Sequence, residues 1–239
     1  MAVAVDGTSP ITGRTNFTTT ITLPGKTSAG SDRCLVIGVG HQGDSLQQIS
    51  SVTYGGSTTG VTSQVTIGPT AANLNSRQYT KVAPNTAGTD VVITFGDDVN
   101  AIAAAHSYTG VDQTTPVRPN SNDTASGSAS APSVTVDPSA TGDIVTDCVF
   151  GDGAVPSVGA GQTLIFADDV ADPHDFAGGL SYETGAATVT MSWTPSYTDW
   201  ASSGMSVQQA AGGGVASVAP TPLRRATRGQ MAQKRRRPA

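Results

Sequence analysis

Short stretches in which apolar and polar residues alternate, each closed by Gly, Pro, Asn or Asp, follow one another from residue 17 to residue 209. Such alternation places every second side chain on one face of an extended strand and gives a helix no continuous apolar stripe. The first half yields strands at FTTTITL (17–23), RCLVIGVGH (33–41), SSVTYGG (50–56), TSQVTIG (62–68), RQYTKVA (77–83), DVVITFG (90–96) and IAAAHSYTG (102–110). The second yields PSVTVD (132–137), DIVTDCVFG (143–151), QTLIFAD (162–168), GGLSYETG (178–185), ATVTMSWT (187–194) and SSGMSVQQ (202–209). NAIAAAHSY (100–108) is the one helix-like stretch, and alternation around it favours strand. Many short strands with turns between them predict an all-β, antiparallel sandwich or barrel.

The two halves follow one order. Residues 19–39, TTITLPGKTSAGSDRCLVIGV, run in parallel with residues 132–150, PSVTVDPSATGDIVTDCVF, and residues 78–110 with residues 180–209. The expected fold is a single jelly-roll-like sandwich spanning 17–209, built from a pseudo-repeat (17–111 and 132–209) whose halves contribute strands to both sheets. Two small β-domains joined by DQTTPVRPNSNDTASGSASAP (112–132) are the alternative. Residues 1–16 read as an N-terminal arm. Residues 210–222 (AAGGGVASVAPTP) read as a flexible Gly/Pro linker, and 223–239 as an Arg-rich tail.

Charge divides along that boundary. The tail carries Arg224, Arg225, Arg228, Lys234, Arg235, Arg236 and Arg237 with no acid, whereas residues 1–214 hold six cations against all eighteen acids, a net of −12. Charged residues make up 13% of the 239, about half the roughly 25% of an average domain. Gly, Ser and Thr take their place, and a chain of this length buries a core without disulfides or metals. Cys34 and Cys148 sit in apolar strands and read as small buried hydrophobes, with a disulfide as the alternative. MAVAVDGTSP lacks the basic and apolar regions of a signal peptide, and no apolar run approaches the roughly 20 residues of a membrane helix. The protein is expected to be soluble, made in the cytoplasm and without membrane contact.

Chemistry is thinly signalled. His41, His106 and His174 lack neighbouring Cys or His at zinc spacing. The acidic stretches GDD (Asp97, Asp98) and ADDVADPHD (Asp168, Asp169, Asp172, Asp175) do not follow the calcium-loop pattern and read as solvated acidic turns. Only Asp147 and Glu183 lie clearly inside strands, and a glycosidase needs two acids converging on one cleft. No G-x-S-x-G elbow occurs, and GSTTGVTSQVTIG lacks the Lys that phosphate cradling needs. No catalytic residue, metal or cofactor is expected, and the chain reads as non-enzymatic. Trp193 alternates with Met191 and Val189 and points into the core. Tyr197 and Trp200, in a polar turn, are candidates for an exposed carbohydrate platform.

Three partners suit the tail. Nucleic acid would be neutralised by seven cations, but the tail offers no aromatic ring for base stacking, and an acidic body repels a polyanion. QKRRRP is compatible with a nuclear-import address, unsupported by any other feature. Docking on an acidic protein surface, through forked Arg–carboxylate bonds, is the favoured reading.

Four phrases taken together, SVTYGGSTT (51–59), HSYTGVDQTTPV (106–117), GDIVTDCVF (142–150) and TMSWTPSYTDWASSGMSV (190–207), resemble a loosely defined group of β-sandwich proteins found among tailed-bacteriophage virion genes and in some bacterial proteins. The resemblance spans about residues 33–209 and excludes the tail. It implies an accessory structural protein: a capsid decoration or cement protein, a head fibre or a tail-associated module. It carries no catalytic residue. A homo-oligomer on the virion is expected, and with the tail read as docking on acidic protein its expected partners are the major capsid protein or other virion subunits. A carbohydrate- or host-receptor-binding module of a phage tail or fibre is the alternative.

Overall fold

The computed structural model describes residues 1–44, 48–170 and 176–211, and every regular element among them is a β-strand. In chain order these are β1 (Ala4–Val5), β2 (Ile11–Lys26), β3 (Cys34–Gln42), β4 (Ile49–Tyr54), β5 (Val61–Ile67), β6 (Leu74–Val82), β7 (Thr89–Thr109) and β8 (Asp123–Ser130). They continue with β9 (Ser133–Val136), β10 (Ile144–Asp152), β11 (Ser157–Val158), β12 (Thr163–Val170), β13 (Phe176–Thr184), β14 (Val189–Thr194) and β15 (Tyr197–Val207). All strand pairs are antiparallel. The all-β antiparallel sandwich is therefore present, and NAIAAAHSY lies within a strand.

The first half forms one seven-stranded sheet that β2 and β7 fold into two layers, and the second half forms two separate sheets. In the first, β5-β6-β3-β7 make an inner sheet extended by β1 and the start of β2 on the far side of β7. The remainder of β2, the first part of β7 and β4 make the outer sheet. In the second half the inner sheet is β12-β13-β10-β15-β8 and the outer sheet β11-β14-β9. The order is the same if β2 is matched to β8 plus β9, and β7 to β14 plus β15. Register confirms the match. The edge strands β5 and β12 each bulge opposite the same inner pair, Tyr79/Gln78 and Ser181/Leu180. Left-handed backbone recurs where the first strand crosses between sheets, at Phe17 (φ 52°) and Ala129 (φ 49°).

Strands are thus segregated by half rather than interleaved as a jelly roll would have them. The reason lies in β2 and β7, at 16 and 21 residues long enough to serve both sheets of one sandwich. Two boundaries also shift. Residues 1–16 are no separate arm: β1 and the start of β2 pair with β7, and Val3 donates its amide to Gly142 C=O at 2.7 Å. The segment 112–132 contains β8, whose Ser, Gly and Ala residues hide a strand on an exposed edge.

The two inner sheets pack against each other, giving four layers. One core, with Leu35, Ile37, Val39, Ile93 and Phe95, fills the first sandwich. Val145, Met191, Val149 and Trp193 belong to the clusters of the second. Between the halves lie Val36, Tyr108, Ile144 and Met205, then Leu74, Ile102 and Phe150, then Ala104, Cys148 and Leu180. Covered on both faces, β3 and β10 are buried almost throughout. Close approach explains CLVIGVG: a Cβ on Gly38 would lie 2.3 Å from Leu180 Cδ2, and one on Gly40 would lie 2.4 Å from Phe150 Cβ. The seam also carries buried hydrogen bonds. Gln78 Nε2 donates to Ser203 C=O (2.8 Å), Thr146 Oγ1 to Gln78 Oε1 (2.8 Å), and Ser76 Oγ to Cys148 C=O (2.7 Å).

Candidate functional site

The seven tail cations, Arg224, Arg225, Arg228, Lys234, Arg235, Arg236 and Arg237, lie outside the described residues, as do Asp172, His174 and Asp175. Tyr197 and Trp200 are described, and they do not form a platform: they are 1% and 6% exposed. The Tyr197 ring packs over Gly151 and Gly153, while the Trp200 indole lies against Gly127 and donates to Ser130 Oγ at 3.1 Å. β15 begins at Tyr197, so the apparent polar turn is strand, and both rings join the core cluster of Val149, Ala177 and Trp193.

Asp147 is the second half's most unusual residue. It occupies on β10 the place that Ile37 holds on β3, for Ile37 is paired with Tyr79 and Ala105, and Asp147 with Ser181 and Gly204. Ser181 Oγ donates to Asp147 Oδ1 at 2.5 Å and Trp193 Nε1 to Oδ2 at 2.5 Å; Gln162 Nε2 in turn donates to Ser181 Oγ at 2.8 Å. Burial outweighs these bonds and pushes the carboxyl up to about 7. With Asp147, Ser181 and Trp193 at most 1% exposed, no substrate reaches the group. Glu183 lies on the same strand as Ser181 and opposite Val145 rather than Asp147.

His41, His106 and both cysteines are enclosed as well. Burial, assisted by the Arg77 guanidinium, pushes His41 down to about 3; burial and then Lys26 push His106 down to about 4. Cys34 and Cys148 are free thiols, each driven up to about 12 by burial. They fall on equivalent strands, as their sequence settings imply, but four places apart, since Cys34 matches Ile144. Charge elsewhere locks the strand ends. Lys26 Nζ donates to Thr8 Oγ1 (2.6 Å) and Ser9 C=O (2.9 Å), and Arg118 Nε donates to the buried Asp143 Oδ2 (2.6 Å). Asp168 and Asp169 are bridged to Arg14 at 3.0 and 3.5 Å. Among the described residues no three His, Cys, Asp or Glu side chains converge as metal ligands.

Surface concavities are shallow. One, about 330 Å³, lies where β5 and β6 meet residues 113–117 and is lined mainly by Thr and Gln, including Thr62, Gln64, Thr80 and Gln113. A smaller one, about 110 Å³, is bordered by Phe17, Gln42, Gly43, Asn73, Asp98, Val99 and Asn100. Sequence reasoning missed this second group because Phe17 reads as an ordinary strand residue. The residue is 53% exposed and has a positive φ at a sheet-to-sheet crossing.

No protein-family model, curated protein or solved structure matches this chain.

Proposed function

We propose that this chain is a non-enzymatic accessory structural protein of a tailed-phage virion, a capsid decoration or cement protein, fastened by its basic tail to acidic surfaces of neighbouring subunits. The observation that carries the reading is the contrast between a β-body of net charge −12 and seven cations gathered in Arg224–Arg237. A tether of opposite sign raises the effective concentration of a weak body contact without altering the body's own surface. Forked Arg–carboxylate bonds give such a tether direction as well as charge.

The body supports this role physically. Its chemically versatile side chains, His41, His106, Asp147, Cys34 and Cys148, are buried within the β-framework. A four-layer body whose halves share a buried, hydrogen-bonded seam suits a part that bears load, and its major capsid protein or other virion partners would meet its weakly charged outer faces.

Truncation after Gly214 tests the proposal. Loss of occupancy on purified virions, measured by quantitative electrophoresis, is expected, with the truncated body still folded by circular dichroism. Unchanged occupancy overturns the tail as anchor. The tail's preference for protein over nucleic acid is tested by titrating full-length chain with duplex DNA across a salt series, where any binding beyond that of the truncated body is expected to vanish by physiological salt.

A further inference from the structure

We propose that β8 is a self-association edge: the β8 strands of two copies of this chain pair antiparallel about a two-fold axis and join their five-stranded inner sheets into one continuous sheet. The contact is read from the β-body alone, so it can fail while the virion reading and the tail anchor stand.

A strand that ends a sheet presents unpaired amides and carbonyls to any chain that comes alongside. Folded proteins blunt such edges with bulges, charges, proline or brevity. Every other edge strand among the described residues is blunted in one of these ways. β5 shifts register between Ser63 and Val65, and Asn122 Nδ2 donates to Gln64 C=O at 2.7 Å. β12 shifts between Leu164 and Phe166 and carries Asp168 and Asp169. β4 shifts between Ile49 and Ser51. β2 is interrupted by three register shifts and holds Arg14 and Pro24. β1, β9 and β11 are two, four and two residues long.

β8 has none of these devices. Its eight residues include no Lys, Arg or Pro, and they follow β15 without a register shift. β15 is its one strand partner among the described residues, and no residue of β8 is buried. Its single charge, Asp123, is engaged at the strand's start, where Oδ2 accepts the Asp137 amide at 2.9 Å. Left-handed backbone at Ala129 closes the straight part, leaving residues 123–128 free to pair.

The sequence of this edge selects a second copy as its occupant. Residues directly opposite in antiparallel strands share a face, so the two-fold axis falls on a residue. On Ser126 it sets Thr124 opposite Ser128 and Ser126 opposite itself on one face, with Ala125 opposite Gly127 on the other. Hydroxyl meets hydroxyl, and small side chains meet small ones. Asp123 falls opposite Ala129 and not opposite a second acid, which matters between two bodies of net charge −12.

Sedimentation equilibrium of the full chain, in about 0.5 M salt to screen attraction between tail and body, is expected to show a monomer–dimer equilibrium. Ser126→Lys sets two ammonium groups opposite each other and should weaken dimerisation roughly tenfold. Its melting temperature at high dilution should match that of the parent. Directly opposed Cα atoms lie about 4.5–5.5 Å apart, within disulfide range. Ser126→Cys should therefore form a linked dimer in air, read on non-reducing gels, while the native Cys34 and Cys148 stay buried. Ser128→Cys, opposite Thr124 of the second copy, should link far less. A chain that stays monomeric up to millimolar concentration overturns the proposal. So does a dimer that Ser126→Lys leaves intact, or equal linking by the two cysteine variants.

Discussion

Between β3 and β6 the first sandwich places Ile37 and Tyr79, with Phe95 in the same apolar cluster; at the matching positions the second sandwich places Asp147, Ser181 and Trp193. Phe95 and Trp193 correspond because β7 and β14 pair with their outer neighbours in the same register, Val91 opposite Leu23 and Val189 opposite Val136. One backbone thus supports an apolar filling and a hydrogen-bonded one. The lesson is that a carboxyl can replace an aliphatic side chain in this architecture when every polar atom around it finds a partner. The cost is a pH response confined to one half.

Removing the indole should distinguish the two fillings most sharply. Trp193→Ala should lower unfolding free energy by roughly 4 kcal/mol. That loss should exceed the loss from Phe95→Ala, because the former also strips Asp147 of a donor. Urea denaturation measures both, and equal losses would break the comparison.

Asp147→Asn comes next. Free Asp ionises near 3.8, whereas the buried carboxyl holds its proton to about 7, so the native state binds the extra proton across that window. Stability contributed here is greatest at low pH and falls as pH rises toward 7. The amide keeps the hydrogen-bonding shape without charge. It should stabilise by about 2–4 kcal/mol at pH 8 and have little effect at pH 4, read from melting curves at each pH.

The seam offers a third, smaller test. Leu180 packs near Ala104 and over Gly38, while its counterpart Gln78 bonds Thr146 and Ser203. Gln78→Leu would make the seam alike on both sides but orphan the buried Thr146 hydroxyl. A loss of about 1–2 kcal/mol is expected, and a gain would mean that the polar side is dispensable.

The last test concerns opposite slopes. His41 and His106, both in the first half, titrate near 3 and 4 when folded and near 6.5 when free, so their stabilisation is lost as pH falls below 6.5. Asp147 responds the other way. Hydrogen exchange corrected for intrinsic rates should show β3 losing protection relative to β10 between pH 7 and pH 5. Uniform loss across both would sink the idea of separate pH responses.

Much of the fold was legible because alternation survives wherever one face is buried. The matching of residues 78–110 with 180–209 even aligned Gln78 with Leu180, the pair that the bulges equate. What escaped was structure without apolar periodicity. β8 (DTASGSAS) lies on an exposed edge, and β1 is two residues long. Tyr197 and Trp200 misled because local polarity hid a strand that begins at Tyr197. Asp147 was visible as an acid inside a strand, but Ser181 and Trp193 are distant in sequence and only register brings them together. Phe17 was invisible, since composition carries no record of a positive φ.

The described chain ends beside the seam. Val111 and Gln209 are bridged, Ala210 donates to Gly110 C=O at 2.7 Å, Gln208 to Pro116 C=O at 2.8 Å, and Gln209 to Asp143 Oδ1 at 3.0 Å. Tension applied through the residues beyond Ala211 would run along β15 and load these bonds together, in shear, instead of opening them one by one like a zipper. Because they span the two sandwiches, pulling would first be shared by both halves before either yields.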